Sequence, residues 1–288
     1  MKKRKLGIIV DSTCGSDYGK SFFPDISVVP LTIIVDGKSY VDGDFDNKTL
    51  LHFIDQKKKV TTSQPNPELF IQAFKKQFSL GYEHVFCFTL SHKLSGTFNS
   101  ALLAKKILND ERITIIDSET VGPGVIFALK RLSYLLEQET FDSYQALEFQ
   151  LKQELDQGFL LFYIENLKQL VKNGRISKFK ALIGTLFKIH PIVKYQKSVL
   201  MINKKIRNFN RCFEYLIQSV LNEKTINKAL DIQTVHVDED SQTKAFLQKI
   251  NDLNESQITV SDYGAISSVV AVHMGSKAFG FYLNTIKA

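Results

Sequence analysis

The order of strand-like and helix-like segments predicts an α/β protein of two domains. The first is a Rossmann-like domain on a parallel sheet, the second an α+β domain on a mixed sheet. Three observations carry this. From Lys5 to Gln157 the segments run mostly strand then helix, the order that lays helices on the faces of a parallel sheet. Near Gly158 the order turns mixed. The 288 residues suffice for two ordinary domains, here 1–158 and 159–288.

Lys5–Val10 is an apolar strand ending in the polar turn Asp11-Ser12-Thr13-Cys14-Gly15-Ser16. The carboxyl ends of strands are where open α/β sheets hold ligands. Ile26–Val35 is strand-like, with Pro30 interrupting it. Asp36-Gly37 is a hairpin signal leading into Lys38–Val41, and Asn47–Gln56 reads as a helix. Pro65 biases Gln64 away from helical backbone, so Thr61–Pro65 is extended, and Pro67 suits the first turn of a helix reaching Phe78.

His84–Leu90 is a short buried strand, and the apolar face Phe98, Ala101, Leu102 and Ile107 marks a helix after it. The turn between them holds Ser91, Ser95 and Gly96. Ser95 is placed to cap the helix, and Gly96 lets the backbone approach a guest. A helix amino end offers N–H groups and partial positive charge, which suits an anion. Taken alone, Ser91 and Ser95 satisfy a turn and a cap. The second hydroxyl cluster, Thr61-Thr62-Ser63, weighs toward an anion site. Ile113–Ile116 is the next strand, ending in Asp117-Ser118, followed by helices over Val125–Glu137 and Ser143–Gln157.

Beyond Gly158, Phe159–Ile164 is a strand and Glu165–Lys172 a short helix. An amphipathic stretch covers Lys178–Leu186, and His190–Tyr195 with Ser198–Ile202 alternate as a hairpin-like pair. Asn208–Asn222 and Ser241–Asn251 are helices, while Asp231–Val237, Gln257–Val260 and Val269–His273 are strands.

The chain is 44% hydrophobic and 23% charged, a globular composition. No apolar run approaches a membrane span, and the run Leu6–Val10 is too short for the core of a signal peptide, so a cytoplasmic location is expected. Cys14, Cys87 and Cys212 are odd in number and widely spaced, giving neither a disulfide framework nor a metal pattern. The net charge of +7 fits at most transient membrane-surface contact. Lysines seldom cluster, which argues against dedicated nucleic-acid binding.

No catalytic set stands out. Asp11, Asp117, His92 and His273 are each capable of acid–base work, but no spacing rule binds them together. Gly15 to Ser21 is one residue short of a phosphate loop. The Asp42–Asn47 turn lacks the glycine and glutamate of a calcium loop. What remains is a set of hydroxyls at strand ends on a body with 22 phenylalanines, suited to holding a small anionic head and burying an apolar remainder. No metal and no cofactor are expected.

The same residues carry a family pattern. Asp11-Ser12-Thr13, Val29-Pro30-Leu31, Tyr40-Val41-Asp42, Thr62-Ser63-Gln64-Pro65, Leu94-Ser95-Gly96-Thr97-Phe98-Asn99-Ser100-Ala101, Asp117-Ser118, Gly174-Arg175-Ile176-Ser177 and His273-Met274-Gly275 occur in an order and spacing that resemble the DegV family of bacterial fatty-acid-binding proteins. The resemblance covers nearly the whole chain. It implies a long-chain fatty acid, such as palmitate, at the junction of two α/β domains. It implies that Thr62 and Ser95 hold the carboxylate, with Ser63 and Gly96 close by and Arg207 and His273 near the head group. It also implies a carrier that presents the acid to a separate fatty acid kinase subunit and is not itself the catalyst.

Two positions depart from that pattern. His190 stands where a lysine commonly precedes the proline, and Ser276-Lys277 follows Gly275 where Pro-Gly is usual. Two other readings stay open: an enzyme acting on an acyl or phosphorylated small molecule at the same cleft, and a lipid-sensing regulatory protein.

Overall fold

The computed structural model describes residues 4–138, 141–165, 167–175, 189–226 and 229–285. The expected amphipathic stretch Lys178–Leu186 and the Ile176-Ser177 part of the Gly-Arg-Ile-Ser motif lie outside the described residues. Contacts divide the chain into two units, 1–44 with 59–155, and 45–58 with 156–288. A single cut after residue 158 does not include the excursion at 45–58.

The first unit is built on four parallel strands. They are β1 (Leu6–Asp11), β2 (Ser27–Val29), β6 (His84–Thr89) and β7 (Ile113–Asp117), in the order β2-β1-β6-β7. β1 and β6 are buried at every residue, as strands covered on both faces must be. On one face Ile9, Val85, Cys87 and Ile113 meet Phe70, Ile71 and Phe74 of α3 (Pro67–Ser79) and Ala101 and Ala104 of α4 (Thr97–Leu108). On the other, Phe86 meets Tyr144 at the start of α6 (Tyr144–Leu155), which packs on α5 (Pro123–Gln138). α5 also packs on α1 (Ser16–Phe22), so the phosphate-loop look-alike is the start of a helix.

Pro30 divides the expected strand Ile26–Val35 between two sheets. β2 joins the parallel sheet, while β3 (Thr32–Val35) lies between β4 (Lys38–Val41) and β5 (Val60–Ser63) in a small antiparallel sheet. Asp36 and Gly37 both have positive φ, 48° and 87°, the geometry of a two-residue hairpin turn.

The second unit is a six-stranded mixed sheet, β10-β9-β8-β13-β11-β12. Its strands are β8 (Phe159–Ile164), β9 (His190–Gln196), β10 (Val199–Ile206), β11 (Leu230–His236), β12 (Ile258–Ala265) and β13 (Ala278–Thr285). Only β11 and β12 run parallel. Phe213, Leu216 and Val220 of α8 (Asn210–Ile226) and Phe246 and Ile250 of α9 (Ser241–Asn251) cover one face, against Phe159, Leu161, Phe279 and Phe281. The short α7 (Lys168–Lys172) packs on α10 (Ser268–Met274), and α10 also packs on α2 (Asn47–Asp55).

Two sequence expectations are corrected here. Val269–His273 is helix, not strand. Ala271 N and Gly275 N donate to Ser267 O and Ala271 O, each at 3.0 Å, and Gly275 at φ 80° ends the turn. Four apolar residues in a row satisfy a buried strand and a buried helical turn equally, and periodicity cannot separate them. The strand of this region is β13, for which the sequence analysis has no counterpart. It pairs with β8 and β11, and Gly280 lets it approach β8, since a Cβ there would overlap Leu161 O and the Phe162 backbone.

Candidate ligand-binding site

The strand order of the parallel sheet reverses between β1 and β6, so the loops after them leave in opposite directions. Three side chains of the Asp11-Ser12-Thr13 turn brace this point. Asp11 accepts from Thr13 N at 3.0 Å, Thr13 Oγ1 at 2.6 Å and Leu90 N at 2.6 Å. Ser12 Oγ donates to Asp42 at 2.7 Å and accepts from Leu31 N at 3.1 Å. Burial, more than any neighbouring charge, lifts the Asp11 carboxyl to about 6. Asp11 is thus committed to the loops around β1 and β6.

The loop after β6 is held from below. Ser91 is fully buried. Its N–H donates to Thr120 O at 2.8 Å, and its own carbonyl accepts from Leu94 N and Ser95 N at 2.9 and 3.2 Å. These bonds carry Ser95 and Gly96 to the head of α4. The cap differs from expectation. Gly96 is the N-cap and makes no side-chain cap bond, because the turn closed on Ser91 ends at Ser95, one residue before the N-cap. Ser95 Oγ instead contacts Thr97 Oγ1 at 2.8 Å and accepts from Thr97 N at 3.3 Å.

The upstream hydroxyl cluster arrives on β5. Thr62 pairs with Ile33 and Ser63 with Thr32, so their side chains point to opposite faces of the small sheet. Thr62 is partly buried and Ser63 exposed. Two contacts bring this segment to the α4 loop. Ser100 Oγ donates to Pro65 O at 2.6 Å, and the carboxamide of Gln64 packs against Gly96, where a Cβ would overlap it. Thr62 and Ser63, on β5 of the small sheet, and Ser95 and Gly96, after β6 of the parallel sheet, therefore fall on neighbouring segments.

His92 and Asp117, two isolated candidates in the sequence, form a pair. His92 Nδ1 bonds to Asp117 Oδ2, and Asp117 also accepts from His92 N at 3.3 Å and Glu119 N at 3.0 Å. Among the described residues no group of three His, Cys, Asp or Glu side chains is arranged to hold a metal. The carboxylates of the calcium-loop look-alike serve turns: Asp44 accepts from Val41 N at 2.8 Å, and Asp46 caps α2 through Thr49 N at 2.9 Å.

In the second unit, His273 sits in the last turn of α10, and burial followed by the nearby Arg175 charge pushes its imidazole down to about 4. Asn173 beside it donates to Val272 O at 3.3 Å, while Arg175 Nη1 donates to Asn173 O at 2.9 Å. Burial also lowers the Arg175 guanidinium. The cation placed near His273 is thus Arg175, which no site assignment from the sequence included. The Gly174-Arg175 motif was its only signal. Arg207 stands in an exposed bend after β10.

This architecture has known counterparts, and the chain belongs to the DegV family: the model of that family, described as an uncharacterised protein family, matches residues 5–285. A DegV domain-containing protein of Clostridium acetobutylicum is 30% identical over 281 residues, which cover 96% of this chain and 98% of its own. A protein of Thermotoga maritima named as a fatty acid-binding protein is 28% identical over 295 residues, covering 98% and 99%. A solved DegV family structure from Thermus thermophilus, described by its fatty acid binding, superposes with a TM-score of 0.87 at 24% identity, covering 98% of this chain and all of that one. A DegV lipid-binding protein of Thermotoga maritima gives 0.82 at 25% identity, covering 98% and 99%. Among the described residues no helix is long and apolar enough to cross a membrane.

Proposed function

We propose that this protein binds a long-chain fatty acid such as palmitate and presents its carboxylate to a separate kinase. The observation that carries the reading is the convergence of Thr62-Ser63 and Ser95-Gly96 on neighbouring segments, joined by the Gln64–Gly96 packing and the Ser100–Pro65 bond. Hydroxyls and backbone N–H groups suit a carboxylate, because they donate without supplying a full counter-charge. The relatives named for fatty acid or lipid binding support the same ligand class. Arg207 and His273 are proposed as ligand residues carried by the second unit, with the Arg175 charge acting on His273.

The tail supplies most of the affinity in this reading. Burying ~14 methylenes at ~0.8 kcal/mol each gives roughly 11 kcal/mol before ordering costs. The hydroxyls then decide which end of the lipid sits where. The protein is the carrier, and the partner kinase transfers the phosphoryl group to the carboxylate; no cofactor of its own is required. A cytoplasmic location accords with three buried free thiols.

Mass spectrometry of lipid released by denaturing the purified protein, beside its intact native mass, tests the ligand. One stoichiometric fatty acid is expected. A lipid-free protein that also fails to take up added palmitate would refute the reading.

The His92–Asp117 pair favours a second reading, an enzyme acting on an acyl or phosphorylated small molecule. A carboxylate that fixes one imidazole nitrogen leaves the other to move a proton. Turnover by the isolated protein that is lost in His92→Gln would favour it over the carrier.

A further inference from the structure

Gly96 is glycine for want of space, not for backbone freedom. Its φ of −74° and ψ of 6° are open to any residue. What excludes a side chain is Gln64, whose carboxamide oxygen, carbon and nitrogen all lie within reach of a Cβ built at position 96. Gln64 follows directly on Thr62 and Ser63, and Gly96 directly on Ser95. The Gln64 side chain therefore reaches from the segment of the first hydroxyl cluster to the segment of the second. It is exposed and makes no hydrogen bond to a described residue, so its donors and its acceptor are open to a ligand.

We infer that Gln64 is a further head-group residue, which donates its amide N–H to the ligand's carboxylate and so selects an acid over an uncharged lipid. This rests on the fatty-acid reading above. A neutral amide completes a donor set made of hydroxyls and backbone N–H groups, and it adds specificity without another charge. The glycine at 96 keeps the amide in place. A methyl group there would push Gln64 aside even though the helix itself would accept alanine.

The experiment compares wild type, Gln64→Ala, Gly96→Ala and the double variant. Displacement of a fluorescent lipid probe by palmitate and by hexadecanol is measured, with thermal melting to confirm folding. Wild type is expected to prefer palmitate. Gln64→Ala should lose about tenfold for palmitate, the size of one hydrogen bond to a charged group, with hexadecanol unchanged. Gly96→Ala should lose at least as much. The double variant should fall no lower than Gln64→Ala, because truncating Gln64 makes room for the new methyl group. A Gln64→Ala protein that keeps the wild-type preference overturns the inference and leaves Gln64 as surface packing. A wild type that binds both lipids equally overturns it as well. A wild type that binds neither refutes the fatty-acid reading itself, a result the first two outcomes cannot imitate.

Discussion

The carboxylate of Asp11, at the end of β1, accepts the backbone N–H of Leu90, just past the end of β6, at 2.6 Å. One side chain thus ties together the two strands between which the sheet order reverses. The same carboxylate holds Thr13, so the first polar turn of the chain is anchored to the loop that delivers Ser95.

Asp11 makes stability depend on pH. Burial raises its carboxyl from 3.8 to about 6, so the folded protein takes up this proton before the unfolded chain does. Its contribution is complete below about pH 4 and is lost as pH rises to about 6. Asp11→Asn removes the titration and turns an amide N–H2 toward donors. A loss of about 1–3 kcal/mol is expected. The gap to wild type should be widest at pH 4 and narrower at pH 7. Urea midpoints of both proteins across that range test this, and a gap independent of pH would contradict it.

Asn47 holds the excursion at 45–58 to the second unit. Its Nδ2 donates to Val237 O and Ile266 O, both at 2.9 Å, and its Oδ1 accepts from Ser268 Oγ at 2.8 Å. Asn47→Ala leaves two buried carbonyls short of donors, costing about 1–3 kcal/mol. Asn47→Asp should cost more, since a carboxylate then faces those carbonyls. Denaturant melts of the two variants would show the order, and equal losses would mean that packing outweighs the hydrogen bonds.

His273 is neutral at pH 7. With its pKa pushed from 6.5 down to about 4, its contribution to stability is present at neutral pH and is lost as pH falls from about 6.5 toward 4. A carboxylate bound beside it would favour the imidazolium, so palmitate binding near pH 5 should take up protons. Calorimetry in two buffers of different ionisation heat measures this. Uptake that persists in His273→Gln would show that the proton goes elsewhere.

Thr62→Ala with Ser95→Ala should leave substantial lipid binding, because the tail term of roughly 11 kcal/mol is untouched. Acyl-phosphate formation with a partner kinase should fall, since the carboxylate is no longer held in place. Unchanged formation by the double variant would exclude these hydroxyls from head-group binding.

Most local structure was legible in the sequence, because each signal acts within a few residues. Pro67 begins α3, Asp36-Gly37 turns the β3–β4 hairpin, and the apolar run Val85–Phe88 is a strand buried on both faces. Ser95 was misplaced by one residue as a cap, because a cap depends on where the preceding turn closes. Val269–His273 has the apolar run of a buried strand and is a helical turn, because a short apolar run fits either state. Both the hydroxyl clusters and the Gly-Arg motif stood out in the sequence. Their neighbours in space, Gln64 on Gly96 and Arg175 near His273, did not.

By itself the sequence determined the two-part α/β organisation, the parallel sheet of the first unit and the two hydroxyl clusters at Thr62-Ser63 and Ser95. Backbone preferences and apolar periodicity are local properties, and composition travels with the chain. Tertiary structure alone decided that 45–58 packs with the second unit, that β13 lies inside the six-stranded sheet, and that His92 meets Asp117. Those pairings join residues far apart in sequence. They depend on which surfaces the folded sheets bring together, and no local pattern records that.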